Sequence, residues 1–438
     1  MRRSLSLLLT APLLIPAAAL AAGIDLGSTT ILRLEQQKVP GHSTQDIMPA
    51  TQFLSIDANS LADGNLSLHL SGWGRVDLGD KSTYDQNTAD GSLTYGYLRY
   101  RFSQTNADLR AGRFFVRDGI VNEQVDGVAG RTDLPFGFYF SLFGGAPVHT
   151  SDLAGESSDG KGDSIVGGRL AFRTGGVLEV GFSGVFEGSA PTLNNHPNYD
   201  HQLIGGDIWL SPARFIELMG HTSYNLETEE IAAHSYLLNI KPDKSLVISG
   251  EYNEQRDLSY LGATWARFTG GPIDPGDKSR TIGGSASLEV APGVTISADY
   301  KNYRREFGSA DRFGGDIRLN IPKTPVNGGF GFHYVDAGDG FAIGSNTSGS
   351  YNEVRAFLMH TAVDHFVALD GIGYFFKDAV DGEDAAWETK LSVGYHFTPD
   401  LVLSGDVSYG RNPQYQDETK GLIRLTYNLT STPQGGKK

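Results

Sequence analysis

Between Trp387 and Phe397 every second residue suits an apolar surround. Trp387, Thr389, Leu391, Val393, Tyr395 and Phe397 alternate with Glu388, Lys390, Ser392, Gly394 and His396. In an extended chain successive side chains point to opposite faces, so this stretch presents one greasy and one wet face. After the tight turn Thr398, Pro399, Asp400 the pattern resumes, with Leu401, Leu403, Gly405, Val407 and Tyr409 against Val402, Ser404, Asp406, Ser408 and Gly410. A polar loop follows, and a third strand sets Ile423, Leu425, Tyr427 and Leu429 against Leu422, Arg424, Thr426 and Asn428. Period two sustained over about ten residues, with short turns at one end and longer polar loops at the other, is the repeat of a transmembrane β-barrel. Half-buried strands of a soluble β-protein also alternate. However, threading these three strands down, up and down puts Trp387 and Tyr409 at one rim and Phe397 and Tyr427 at the other. Ring-bearing residues with a polar tip collect at the two membrane interfaces, and a soluble core gives no reason for two such rims.

The same reading extends toward the amino end. From Asn65, Leu66, Leu68, Leu70, Gly72, Gly74 and Val76 form one face, and Ser67, His69, Ser71, Trp73, Arg75 and Asp77 the other. Asp118 to Asp133 reads either as one long loop or as a short turn and a strand near Asn122 to Thr132. The strand is preferred, because only it lets Phe136 to Gly144 climb and leaves the acidic loop Pro147 to Lys161 outside. Short turns at Thr174 to Gly176, Ser211 to Ala213, Lys241 to Lys244, Ala291 to Gly293, Thr361 to His365 and Thr398 to Asp400 are assigned to the periplasmic end. The longer connections, including Lys377 to Ala385, are assigned to the outside. The expectation is an all-β, transmembrane antiparallel β-barrel of about twenty strands, with eighteen or twenty-two also compatible and both termini periplasmic. Residues 22–64 show no sustained alternation and are expected to form a periplasmic N-terminal segment or partial plug, a poorly ordered terminus being the alternative. The barrel is placed at 65–429 and a periplasmic tail at 430–438.

Composition narrows the function. Met1-Arg2-Arg3, the apolar run Leu5 to Ala19 and the small-residue site Ala19-Leu20-Ala21 read as a secretory signal peptide over 1–21. Mean hydropathy is negative, so membrane spans after the leader must be strands. The sequence has no cysteine, which excludes disulfides, thiolate metal sites, a catalytic Cys and covalently attached c-type haem. The formal charge of −15 argues against nucleic acid as a partner. Outer-membrane lipid, lipopolysaccharide and the outer-membrane assembly machinery are the expected partners, and the outer membrane of a Gram-negative bacterium the expected location.

No catalytic constellation emerges, so the chain is read as non-enzymatic and without a cofactor or metal of its own. His221, Thr222 and Ser223 are adjacent, but neighbouring strand residues point to opposite faces and do not make a nucleophile and base. The acidic run Asp378, Asp381, Glu383 and Asp384 has oxygen enough for calcium, yet lacks the ordered ligand spacing of a calcium loop, and a solvated loop is the plainer reading. The densest charge cluster is Arg110, Arg113, Arg117, Glu123, Asp126, Arg131 and Asp133. Such charges are expensive in hydrocarbon, so they must face water or pair across the lumen. The first six are the candidate lumen constriction, whose field would select solutes. An ion-paired network that only satisfies the wall is the competing reading.

The stretches Leu66-Ser-Leu-His-Leu-Ser-Gly-Trp-Gly-Arg-Val-Asp77 and Gly112-Arg-Phe-Phe-Val-Arg-Asp-Gly-Ile-Val-Asn-Glu-Gln-Val-Asp-Gly127 resemble outer-membrane porin-like β-barrels of metal-reducing bacteria. Some of these serve as the barrel component of porin-cytochrome electron conduits. The resemblance implies a sheath for multihaem c-type cytochromes, and a general diffusion channel for small polar or charged solutes is the alternative. The chain departs from many porins in ending with a polar tail after its last strand. About twenty strands at ~4.8 Å spacing and ~40° tilt give a diameter near ~40 Å, wide enough for either role.

Overall fold

A computed structural model describes residues 23–37, 44–79, 88–148, 164–188, 201–256, 278–305, 308–338, 349–380, 382–413 and 417–430. The expected signal peptide, the tail from 431 and most of the long connections lie outside these residues. The strands are, in order, β1 (Ile24–Gln37), β2 (Gln45–Ile47), β3 (Pro49–Leu61), β4 (Leu66–Asp77), β5 (Ala89–Phe102) and β6 (Ala107–Asp118). Next come β7 (Val121–Asp133), β8 (Phe138–Pro147), β9 (Ser164–Thr174), β10 (Leu178–Gly188), β11 (His201–Ala213) and β12 (Ile216–Asn225). Then follow β13 (Glu230–Ile240), β14 (Leu246–Gln255), β15 (Ser279–Ala291), β16 (Val294–Arg305), β17 (Gly308–Asn320) and β18 (Val326–Ala337). The last five are β19 (Tyr351–Thr361), β20 (His365–Val380), β21 (Glu383–Thr398), β22 (Leu401–Arg411) and β23 (Glu418–Thr430). The fold is an all-β, closed antiparallel barrel of 22 strands, with β2 a short addition to β1. No described helix is long and apolar enough to cross a membrane.

Two compact units are distinguished. The first holds residues 1–103, 357–372 and 386–438. There β21 pairs with β22, β22 with β23, and β23 with β1 along the register Asp25↔Thr430 to Gln37↔Glu418. From β1 the sheet continues through β3 and β4 to β5. The alternation of β21 to β23 holds as read. Leu391, Val393, Tyr395, Val407 and Ile423 are exposed on one face, whereas Ser392 and Ser408 are buried on the other. At one rim Trp387 and Tyr409 meet edge to face at 5.5 Å.

The segment at 22–64 is corrected by these registers: β1 and β3 are barrel strands, not an extension or plug, and they raise the count from about twenty to 22. Their alternation is hidden because the face shared with Leu425 and Leu70 carries Ser28, Thr30 and Gln52. These three satisfy one another. Thr30 donates to Gln52 Oε1 at 2.6 Å, and Gln52 Nε2 donates to Ser28 Oγ at 3.0 Å. Internal pairing removes most of the cost of polar groups on a lipid-directed face.

The second unit holds 104–356 and 373–385. From β6 to β18 successive strands pair as hairpins. The tight turns are chemically specified. Between β13 and β14, Asp243 accepts from the Ser245 hydroxyl and from the amides of Ser245 and Leu246 at 2.6, 2.7 and 3.0 Å. Those bonds hold its carboxyl below the usual carboxylate range. The loop expected at Lys377 to Ala385 is corrected: β20 continues to Val380 and β21 begins at Glu383, so Asp378, Glu383 and Asp384 stand on strands. Strand pairing satisfies their backbone groups without needing an apolar face, so polar composition alone misread them as loop.

Candidate functional site

The strand expected between Asn122 and Thr132 is present as β7. With β6 it forms an unbroken hairpin, from Ala107↔Thr132 to Asp118↔Val121, turning at Gly119 and Ile120. Residues directly opposite share a face. One face therefore carries Asp108, Arg110, Phe114, Val116 and Asp118 with Arg131, Val125, Glu123 and Val121. The other carries Leu109, Ala111, Arg113, Phe115 and Arg117 with Val128, Asp126, Gln124 and Asn122.

Halfway along, the two faces exchange character. Nearest Ala107 the second face is apolar and exposed, with Leu109 and Val128, as lipid contact demands. Beyond Gly112 and Gly127 it turns polar, and the apolar residues move to the first face, where Phe114 is 1% and Val125 0% exposed. The contacts of the hairpin tip show what covers them. The Ile120 amide donates to Ser183 Oγ of β10 at 3.2 Å. A side chain added at Gly119 would come within 2.9 Å of Asp207 and 3.0 Å of Arg169. The distal half of the hairpin thus lies on the inner face of β9, β10 and β11. Its hinge is built for this bend: Gly112 has φ +126°, and a Cβ on Gly127 would stand 2.7 Å from Gly145 Cα of β8.

Arg169 pins the tip. Its side chain is only 4% exposed. Its guanidinium donates to Asp118 Oδ1 at 3.1 Å, to Asp207 Oδ2 at 2.9 Å and to Glu179 Oε1 at 3.0 Å. Asp118 belongs to the hairpin and also accepts from Ser141 Oγ of β8. Glu179 receives the Tyr139 hydroxyl at 2.7 Å and Arg173 Nε at 2.8 Å. The Tyr139 ring lies between three guanidiniums, those of Arg131, Arg169 and Arg173, at 4.5, 5.0 and 5.2 Å. Arg169 and Arg173 thus pair with the three carboxylates Asp118, Glu179 and Asp207, as buried charge requires, while Arg131 is held over the ring.

The six residues expected at a constriction do not form one ring. Arg110 and Arg131 lie on the first face within the wall, Arg110 3.4 Å from Asp108 and Arg131 over Tyr139. Glu123, farther out on that face, is half-buried. Arg113, Arg117 and Asp126 lie on the second face of the folded half. There Arg113 grips Asp126 with two hydrogen bonds of 2.8 and 2.7 Å, and Arg117 sits 5.4 Å over the ring of Phe115. Sequence reasoning missed Arg169, Glu179, Asp207 and Tyr139, each a single residue on a different strand. The face exchange at Gly112 and Gly127 is the signal that could have found the fold-in. His221 stands opposite Asp207 on the inner face, whereas Thr222 bonds His234 and Tyr236 at 2.8 and 2.5 Å on the outer face. They do not converge.

No protein-family model and no curated protein matches the chain. Among solved structures it is similar to the P pilus usher (PapC) translocation pore, at 9% identity and a TM-score of 0.53 over 93% of this chain and 100% of that one. Acinetobacter baumannii OccAB4 is matched at 10% identity and TM-score 0.47 over 93% and 98% of the two chains. Pseudomonas aeruginosa OprD is matched at 12% identity and TM-score 0.40 over 94% and 95%. At such identities the likeness concerns fold alone: the chain has the fold of a large, porin-like outer-membrane β-barrel.

Proposed function

We propose that this protein is a non-enzymatic outer-membrane channel for small polar or charged solutes, with selectivity set at the folded β6–β7 hairpin. The carrying observation is that the hairpin buries Phe114 and Val125 and turns Arg113, Arg117 and Asp126 away from that buried face. A polar surface fixed by a buried ion network on the inner wall can select solutes by size and field. In this reading the chain is exported, inserted by the outer-membrane assembly machinery and surrounded by lipid and lipopolysaccharide, with both termini periplasmic. The folded hairpin also takes up inner-wall space that a resident multihaem cytochrome would need, which favours the channel over the sheath that the sequence resemblance suggested.

Gentle detergent purification followed by a haem spectrum and planar-bilayer recording tests the proposal. A colourless preparation that conducts ions steadily, with Arg113→Glu shifting selectivity toward cations, is expected. A stoichiometric haem partner, or a purified barrel that does not conduct, would overturn it.

A further inference from the structure

A second charged cluster lies on the inner faces of β16, β17, β18 and β19, within the same unit as the hairpin but made of none of its residues. His333 of β18 is 1% exposed, and Asp299, Asp316 and His333 each offer a ligand atom within 4.8 Å of the others. Register explains the convergence. Asp299 and His333 flank Gly314, and Asp316 stands beside Gly331, so the strands between them contribute no side chain. A Cβ on Gly314 would approach His333 Cδ2 to 2.5 Å, so the imidazole fits only against glycine.

The imidazole Nε2 is 2.8 Å from Asp299 Oδ1 and 3.8 Å from Asp316 Oδ2. Two oxygens or nitrogens bound to one tetrahedral ion at ~2.1 Å lie ~3.4 Å apart, between these two separations. The other ring nitrogen, Nδ1, is buried without a hydrogen bond and faces Glu353 Oε1 at 3.6 Å. That arrangement, with one nitrogen toward a pair of carboxylates and the other toward a third, is how metal-bound histidines are oriented. Charge points the same way. Arg312 is 2.6 Å from Asp299, and Arg355 is 2.6 Å from Glu353. The Asp316 carboxylate makes no hydrogen bond among the described residues and has only the 3.8 Å approach to His333. Two arginines against three carboxylates leave one negative charge directed at the imidazole.

We propose that Asp299, Asp316 and His333 bind a divalent first-row transition-metal ion that ties β16, β17 and β18 together, with Glu353 orienting the imidazole. One nitrogen and two carboxylate ligands suit zinc and its neighbours better than calcium or magnesium, which take oxygen alone.

Cobalt(II) is the probe, because its visible absorption reports the ligand set. The full-length barrel is purified in detergent, stripped with a chelator, checked for folding by its altered gel migration when unheated, and titrated with Co²⁺, then Zn²⁺. Wild type is expected to take up one equivalent with a visible absorption band that Zn²⁺ abolishes. Glu353→Gln should weaken binding by about 10- to 100-fold, and Asp316→Asn and His333→Gln should remove the band. Asp243→Asn, on an exposed turn, should leave it unchanged. If His333→Gln fails to assemble, Asp316→Asn still decides, since its hydrogen-bonding loss among the described residues is nil. Uptake by wild type no greater than by Asp316→Asn would overturn the proposal.

Discussion

The hairpin β21–β22 and the hairpin β6–β7 both alternate with period two, yet they sit in different physical settings. In β21–β22 the apolar set stays on one face from end to end, and Leu391, Val393, Leu403 and Val407 are exposed to the surroundings, Val407 by 60%. This is a wall one layer thick, stable only if its exterior is hydrocarbon. In β6–β7 the apolar set changes face at Gly112 and Gly127, and beyond that point it is sealed against the inner wall rather than offered to lipid. Alternation reports that a strand has two faces. It does not report what each face will meet.

Arg169→Leu should break the contrast most strongly. It removes the cation that Asp118, Glu179 and Asp207 share, and stranding buried carboxylates costs about 3–5 kcal/mol. The tip should detach while the barrel assembles, giving higher conductance and new protease cleavage near Ile120. Unchanged conductance and protection would show that packing of Phe114 and Val125 alone holds the hairpin. Next in size, Leu403→Arg places a charge on the outward face of β22, at roughly 2–4 kcal/mol near the midplane, whereas Ser404→Arg faces inward. Assembly yield should fall only for the first; equal yields would overturn the register. On the outward face of β1 and β3, Gln52→Ala leaves Ser28 and Thr30 without their shared partner and should cost about 1 kcal/mol in folding titrations. No change there would mean that water reaches this face. The smallest effect is expected for the Arg113 and Asp126 pair, exposed on the folded hairpin. A double-mutant cycle should give about 0.2–1 kcal/mol of coupling. The individual substitutions should shift ion selectivity in opposite directions, and a selectivity blind to both would remove this face from the conduction path.

The pattern in the sequence was enough for the all-β barrel, for the facing of β21 to β23, and for a strand rather than a loop after Asp118, because side-chain periodicity is a local property of an extended chain. It also exposed the charge cluster of β6 and β7, since hydrocarbon makes such charges conspicuous. Composition failed where polar groups satisfied one another: Ser28, Thr30 and Gln52 erased the alternation of β1 and β3, and only pairing with β23 and β4 made them wall. The hub at Arg169 was equally out of reach. Asp118, Glu179 and Asp207 lie far apart along the chain, and they meet because register and the bend at Gly112 and Gly127 carry one hairpin tip across β9 to β11. Local periodicity is written residue by residue, whereas the partners of a buried charge are chosen by which strands the closed sheet brings face to face.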